Sequence, residues 1–161
     1  MPAQSSTAHV AEVGRVCSRN VITIAPGEDI VAAARLMRTC HIGFLVVCEP
    51  TAAGQNRRVV GVLTDRDIVV AVVARDATPQ SLKVVDVMTR NPLMVAEDCP
   101  LDAALGFMRD AGVRRVPVTG AREDLVGVMS LDDVVAQMAQ QLTSVAAAYR
   151  GELRAERVAR P

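Results

Sequence analysis

Residues 13–48 recur as residues 84–119 when the chain is shifted by 71 positions. "SRNVITIAPGEDIVAAARLMRTCHIGFLVV" lies over "TRNPLMVAEDCPLDAALGFMRDAGVRRVPV", with identities at Arg19/Arg90, Asn20/Asn91, Ala25/Ala96, Ala32/Ala103, Ala33/Ala104, Met37/Met108 and Arg38/Arg109. The shift then drops to 66 and pairs Gly61 with Gly127, Thr64 with Ser130 and Asp67 with Asp133. The length change falls in a polar segment, "EPTAAGQNRR" against "GAREDL", where a hairpin loop tolerates it. The chain is a duplicated unit, and its fold must be one that the unit makes twice.

Each unit reads as β-α-β-β-α. A short strand, "VITIA" or "LMVAE", follows an Asn-containing turn. The helix after it, "EDIVAAARLMRTC" or "PLDAALGFMRDAG", places Ile30, Ala33, Ala34 and Met37, or Leu101, Ala104, Leu105 and Met108, at helical spacing. Pro100 stands near the first turn, where a missing N–H does no harm, and Gly112 suits a left-handed residue at the helix end. Two apolar runs joined by the hairpin come next, "FLVV" with "VVGVLT" and "RVPV" with "LVGVMS". Pro117 argues for an edge strand or a bulge. A second helix then begins at the hydroxyl of Thr64 or Ser130. A short helix ending in "VGRVCS" or "VVDVMT" precedes each unit, and in the joining segment Thr78 caps a turn that Pro79 opens.

One such unit buries too little to stand alone. Two, packed sheet against sheet, share a core, so the expected class is α/β (α+β). The division is residues 1–9 as a flexible N-terminus, 10–75 as the first repeat, 76–83 as a linker, 84–138 as the second repeat and 139–161 as a helical tail. Half the residues are apolar, yet Phe44, Phe107 and Tyr149 are the only aromatic ones. The core is therefore aliphatic, and stacking platforms for single-stranded nucleic acid are missing. Zero formal net charge gives no reason to expect nucleic acid or an anionic membrane as partner. The longest apolar run, "IVVAVVA", is too short to span a bilayer. The first residues show no secretory signal, which makes the cytoplasm the expected location. Cys17, Cys40, Cys48 and Cys99 lack CxxC spacing and read as buried free thiols. His41 beside Cys40 and a lone His9 do not make a metal site.

Together, "DVMTRNPLMV", "MRDAGVRRVPV", "GVLTDRDI" and "GVMSLDDV" make residues 10 to 138 resemble a cystathionine β-synthase (CBS) domain pair, most of all the small stand-alone bacterial type that includes hypoxic-response proteins. The resemblance implies a regulatory protein, not an enzyme, that binds an adenosine-containing ligand between its repeats and forms a homodimer. No GxSxG, P-loop or HExxH argues otherwise.

Thr64-x-x-Asp67 and Ser130-x-x-Asp133 have two compatible readings. The hydroxyl caps the helix while the carboxylate reaches back, or the carboxylate accepts both hydroxyls of a ribose beside the positive helix end. By resemblance all four residues are ribose contacts. The cleft of Ser130 and Asp133 then takes Thr23 from the first strand, Ile42, Gly43 and Phe44 around adenine, and Arg114 and Arg115 on phosphate. The mirror cleft of Thr64 and Asp67 takes Met94, Val113 and Arg114. Because Gly43 and Phe44 replace the arginines there, the Asp133 cleft is expected to be the better site. The expected ligand is an adenine nucleotide, AMP, ADP or ATP. No cofactor is required, and the regulated protein is not named by the sequence. Asp65, Arg66 and Asp132 have no assigned role.

In the tail, Leu131, Val135, Met138, Leu142, Val145 and Tyr149 follow 4-3-4-3-4 spacing, a single apolar seam. It either folds back on the repeats or packs on a twin subunit, and the end beyond Arg150 is expected to fray. The competing function is a ligand-independent dimerisation or adaptor protein with vestigial clefts.

Overall fold

The computed structural model describes residues 11–51 and 57–159; the N-terminus expected to be flexible lies outside them. The first unit comprises β1 (Thr23–Ile24), α2 (Ile30–Cys40), β2 (Phe44–Pro50), β3 (Arg57–Thr64) and α3 (Asp65–Ile68), preceded by α1 (Val13–Val16). The second comprises β5 (Val95–Ala96), α5 (Leu101–Ala111), β6 (Arg115–Thr119), β7 (Leu125–Ser130) and α6 (Leu131–Ala159), preceded by α4 (Val84–Val87) and β4 (Thr89–Arg90). This is the expected pair of β-α-β-β-α units.

Helix starts and stops follow the local chemistry. Asp29 accepts from the Ala32 N–H at 2.6 Å and caps α2. Both α2 and α5 end in a left-handed residue, His41 (φ 54°) and Gly112 (φ 66°), which are the same position of the repeat. Thr78 makes no side-chain cap; Pro79 opens a single 3-10 turn, Pro79–Ser81. After Ile68 the second helix of the first unit widens into a π turn, Val69–Val73.

The strands form two sheets, in the orders β1-β2-β3-β4 and β5-β6-β7. In each unit the first strand runs parallel to the second and the hairpin is antiparallel. Both hairpins carry a register shift at the same repeat position, Val47/Cys48 and Val118/Thr119. Of the edge strand or bulge expected at Pro117, the edge is not found: β6 is the middle strand, and the hairpin register shifts one residue further on, between Val118 and Thr119. Val128, opposite Pro117, spends its N–H and C=O on Ser18. The pair is therefore a non-hydrogen-bonded one, and the missing proline N–H costs no hairpin bond.

The units are interlocked. Val13 and Val16 of α1 pack with Val95, Ala104, Met108, Val116 and Met129 of the second unit. Val84 of α4 packs with Ile24, Ile30, Leu45 and Leu63 of the first. Likewise β4 pairs with β3, while Ser18 bridges to Val128 of β7. Each leading helix thus completes the core of the other unit. A third cluster, Val46, Cys48 and Val59 with Leu125 and Val128, is the sheet-to-sheet seam. The repeated arginines serve the same turn twice: Arg19 donates to the Gly14 carbonyl at 3.3 Å and Arg90 to the Val85 carbonyl at 2.9 Å.

Only Cys48 of the four free cysteines is buried; Cys17, Cys40 and Cys99 are partly exposed, which corrects the expectation of four buried thiols. The tail also departs from one alternative. One uninterrupted α6 runs to Ala159, past Arg150, and every residue from Met138 to Arg150 is exposed. A continuous helix exposed over this length is not packed onto the repeats there.

Candidate functional site

Two clefts related by the repeat meet at Gly43, Phe44 and Arg115, which line both. The larger, about 500 Å³, opens at the start of α3 and includes Thr64 and Asp67. The smaller, about 220 Å³, is lined by Ile22, His41, Ile42 and Val128. Where the larger has Gly112, the smaller has His41 at the same repeat position.

At the larger cleft the hydroxyl motif forms a complete capping box. The Asp67 N–H donates to Thr64 Oγ1 at 3.1 Å, and Asp67 Oδ2 accepts from the Thr64 N–H at 2.8 Å and from its hydroxyl at 2.7 Å. All of this falls on one carboxylate oxygen. Oδ1 has no hydrogen-bond partner among the described residues, so capping and ligand contact do not compete. At α6, the Asp133 N–H donates to Ser130 Oγ at 3.1 Å, and the buried Ser130 hydroxyl donates to Asp133 Oδ2 at 2.5 Å.

Arg114 and Arg115 line the larger cleft together with Arg66, against Asp65 and Asp67. Three guanidinium groups against two carboxylates leave an excess of positive charge where a phosphate-bearing ligand could be met in bidentate fashion. The Arg115 guanidinium also reaches Asp132 at 3.4 Å across an exposed ion pair, a contact worth little in water.

The expected residues are therefore grouped differently from the sequence reading. Ile42, Gly43 and Phe44 share the smaller cleft, whereas Asp133 faces a separate groove along α6 beside Arg15 and Val16. Val113 and Arg114 border one cleft with Thr64 and Asp67, and Arg115 borders it too. Both arginines border the Thr64/Asp67 cleft, and Arg115 borders the smaller one too, because residues 112–115 sit at the crossing of the units. Thr23 and Met94 line neither cleft. Thr23 Oγ1 accepts from Arg57 at 2.7 Å and lines a different groove, and Met94 is exposed. Their neighbours Ile22 and Leu93 line the clefts instead. Successive strand residues point to opposite faces, so a choice one residue off selects the wrong face. Asp65, Arg66, Leu93 and Pro117 were missed as lining residues; the signal for Leu93 was its repeat partner Ile22.

Among the described residues no group of three or more His, Cys, Asp or Glu is placed to hold a metal ion. No described helix is long and apolar enough to cross a membrane.

The CBS domain family matches residues 12–74 and 84–140. This chain belongs to the CBS domain family and is a tandem CBS pair, a class whose members are generally regulatory modules. It is 30% identical over 119 residues to hypoxic response protein 1 of Mycobacterium tuberculosis, covering 74% of this chain and 79% of that one. To the uncharacterized protein MK0525 of Methanopyrus kandleri it is 32% identical over 123 residues, 76% of this chain but 60% of that one. The chain thus spans less than two thirds of that relative's length. Among solved structures, Hypoxic Response Protein I with two coordinated zinc ions superposes with a TM-score of 0.67 at 28% identity, over 78% of this chain and 98% of that one. The CBS domain pair of protein MJ0100, in complex with 5'-methylthioadenosine and S-adenosyl-L-methionine, gives a TM-score of 0.67 at 25% identity, over 82% and 98% of the two chains.

Proposed function

We propose that this CBS pair is a regulatory homodimer that senses an adenine nucleotide, AMP, ADP or ATP, in the Thr64/Asp67 cleft. One observation carries the reading: a carboxylate with a free oxygen, Asp67 Oδ1, shares a 500 Å³ cleft with Arg114 and Arg115. The carboxylate takes the ribose hydroxyls, Leu93 and Val113 offer apolar surface to the base, and the arginines take phosphate. Ile42 and Phe44 line the smaller cleft and Asp133 a separate groove, and in this reading these are secondary places for a ligand. Occupancy draws the 112–115 loop and the start of α3 together, and a regulated protein reads the changed dimer. Such a signal requires that the nucleotide favour one arrangement over another.

A second reading is a ligand-independent dimerisation or adaptor protein. It is favoured by the capping bonds at both motifs, which give Asp67 and Asp133 a structural role without any ligand.

Thermal unfolding against AMP, ADP, ATP, S-adenosylmethionine and cyclic dinucleotides separates the two. A nucleotide at a hundred times its Kd adds about 2.7 kcal/mol, a rise of roughly 5–10 °C for a chain of this size. Asp67→Asn keeps an acceptor for the cap and removes the charge; the rise should vanish in it and persist in Asp133→Asn. If none of the ligands shifts the transition, the adaptor reading stands.

A further inference from the structure

We propose that the exposed seam of α6, Val135, Met138, Leu142, Val145 and Tyr149, is the surface on which a second copy of this chain docks, seam against seam. The inference rests on the homodimer of the preceding section and gives it a place.

These five side chains are 57% to 70% exposed, although they are among the largest apolar groups in the helix. Their 3-4 spacing keeps them on one stripe, the pattern of a helix that packs along another helix of its own kind. The stripe lies in a segment without charge: from Val134 to Tyr149 there is no Asp, Glu, Lys, Arg or His, in a chain that is 22% charged. An exposed helix normally carries its charges on the solvent side.

That lack of charge also selects the partner. A helix lying on a membrane carries Lys or Arg along its polar face, which this one lacks. An acidic or basic partner would find nothing to pair with. A second copy meets no like-charge repulsion, and its Ala139 and Ala146 let the helices approach closely. The hydroxyls of Thr143 and Ser144 already donate to the Ala139 and Gln140 carbonyls, at 2.9 and 3.0 Å, so each enters a contact with its donor satisfied.

The area suffices. Five side chains of this kind at this exposure offer roughly 300–400 Å² of apolar surface per copy. With the usual apolar share of a homodimer contact, two copies bury about 1,000–1,200 Å² in total, the threshold of a specific interface. A helix projecting alone is marginal in water, and the second copy supplies the packing that holds it.

The test is sedimentation velocity of the full chain at about 1–100 μM, the range in which an interface of this size associates, with circular dichroism on each variant. The wild type should be a dimer. Leu142→Glu combined with Val145→Glu should weaken dimerisation about 100-fold or more while the sheets and core remain folded, because both positions lie outside the core. Leu142→Ala, a better helix former, should weaken it about tenfold or more and rules out loss of helix as the cause. A double variant that dimerises like the wild type would overturn the seam and leave the homodimer standing. A wild type that stays monomeric at the highest concentration would overturn both, and neither result touches the nucleotide reading.

Discussion

Ser18 and Val128 exchange both of their backbone hydrogen bonds, at 2.9 and 3.0 Å, and so lay the lead-in of the first unit along the last strand of the second. Thr89 and Val62 occupy the mirror positions on β4 and β3. The glycines of "GVLT" and "GVMS" exist for this crossing. A Cβ on Gly127 would stand 2.9 Å from the Ser18 carbonyl and 2.8 Å from Cys17 Sγ, and one on Gly61 would stand 2.9 Å from the Thr89 carbonyl and 2.5 Å from Met88 Sδ. Gly127→Ala and Gly61→Ala should each cost about 1–3 kcal/mol in urea unfolding. Gly106→Ala, in α5 with nothing within 4 Å, should instead stabilise by about 0.5–1 kcal/mol. Equal effects at the three sites would mean the crossing is not tight.

Val13 is fully buried, but in the core of the second unit. Val13→Ala removes two methyl groups from it and should cost about 2 kcal/mol. Hydrogen exchange locates the damage: amides of Val116 and Val118 should lose protection before those of Leu45 and Val47. Loss in the first unit alone would contradict the interlock.

His41 and Gly112 share one left-handed repeat position. A Cβ at φ 66° on Gly112 meets no atom within 4 Å, so its cost is purely conformational. Gly112→Ala should destabilise by about 1 kcal/mol and His41→Gly stabilise by somewhat less, since glycine also loosens the unfolded chain. Differential scanning calorimetry reads both; a His41→Gly variant that melts lower would show that the imidazole holds the turn.

Burial pushes the Cys48 thiol up from 9.0 to about 11, with Arg57 pulling weakly the other way. Cys48 should therefore resist alkylation by iodoacetamide at neutral pH, while partly exposed Cys17, Cys40 and Cys99 are modified first in peptide mass spectrometry. The thiol is neutral in both folded and unfolded chains below pH 9, so it leaves stability unchanged there. Above that, the unfolded chain ionises first, and stability should fall between pH 9 and about 11. Burial raises Cys17 and Cys99 as well, so a fall that is smaller in Cys48→Ala than in the wild type would assign the difference to Cys48, and an equal fall would refute it.

The fold was legible because duplication makes every signal appear twice: the 3.6-residue spacing, the hairpin and the hydroxyl motif each had an independent copy. The interlock was not legible. Val13 and Val84 look alike in sequence, and nothing local tells which core a short helix enters. The lining of the clefts differs from the residues picked in sequence by a step of one along the extended chain. Thr23 attracted attention as a hydroxyl, yet alternation turns it toward Arg57 and gives the cleft to Ile22. Arg114 was expected beside both motifs and borders the Thr64/Asp67 cleft, whereas Arg115 borders both clefts, because a segment at a crossing faces two spaces and sequence equivalence names only one.

The exchanged leaders also impose an order on synthesis. As the ribosome extrudes the chain, the first unit has all its own strands and helices by Val73, yet its core stays open until Val84 emerges and its sheet lacks an edge until Thr89. Val13, made before any strand of either unit, waits for Met129 before it has a place to go. The closing contacts are the distant ones, whose loops are slow to form. Neither half is a finished object while the other is missing, and a single unit made alone could complete itself only by borrowing the leader of another copy.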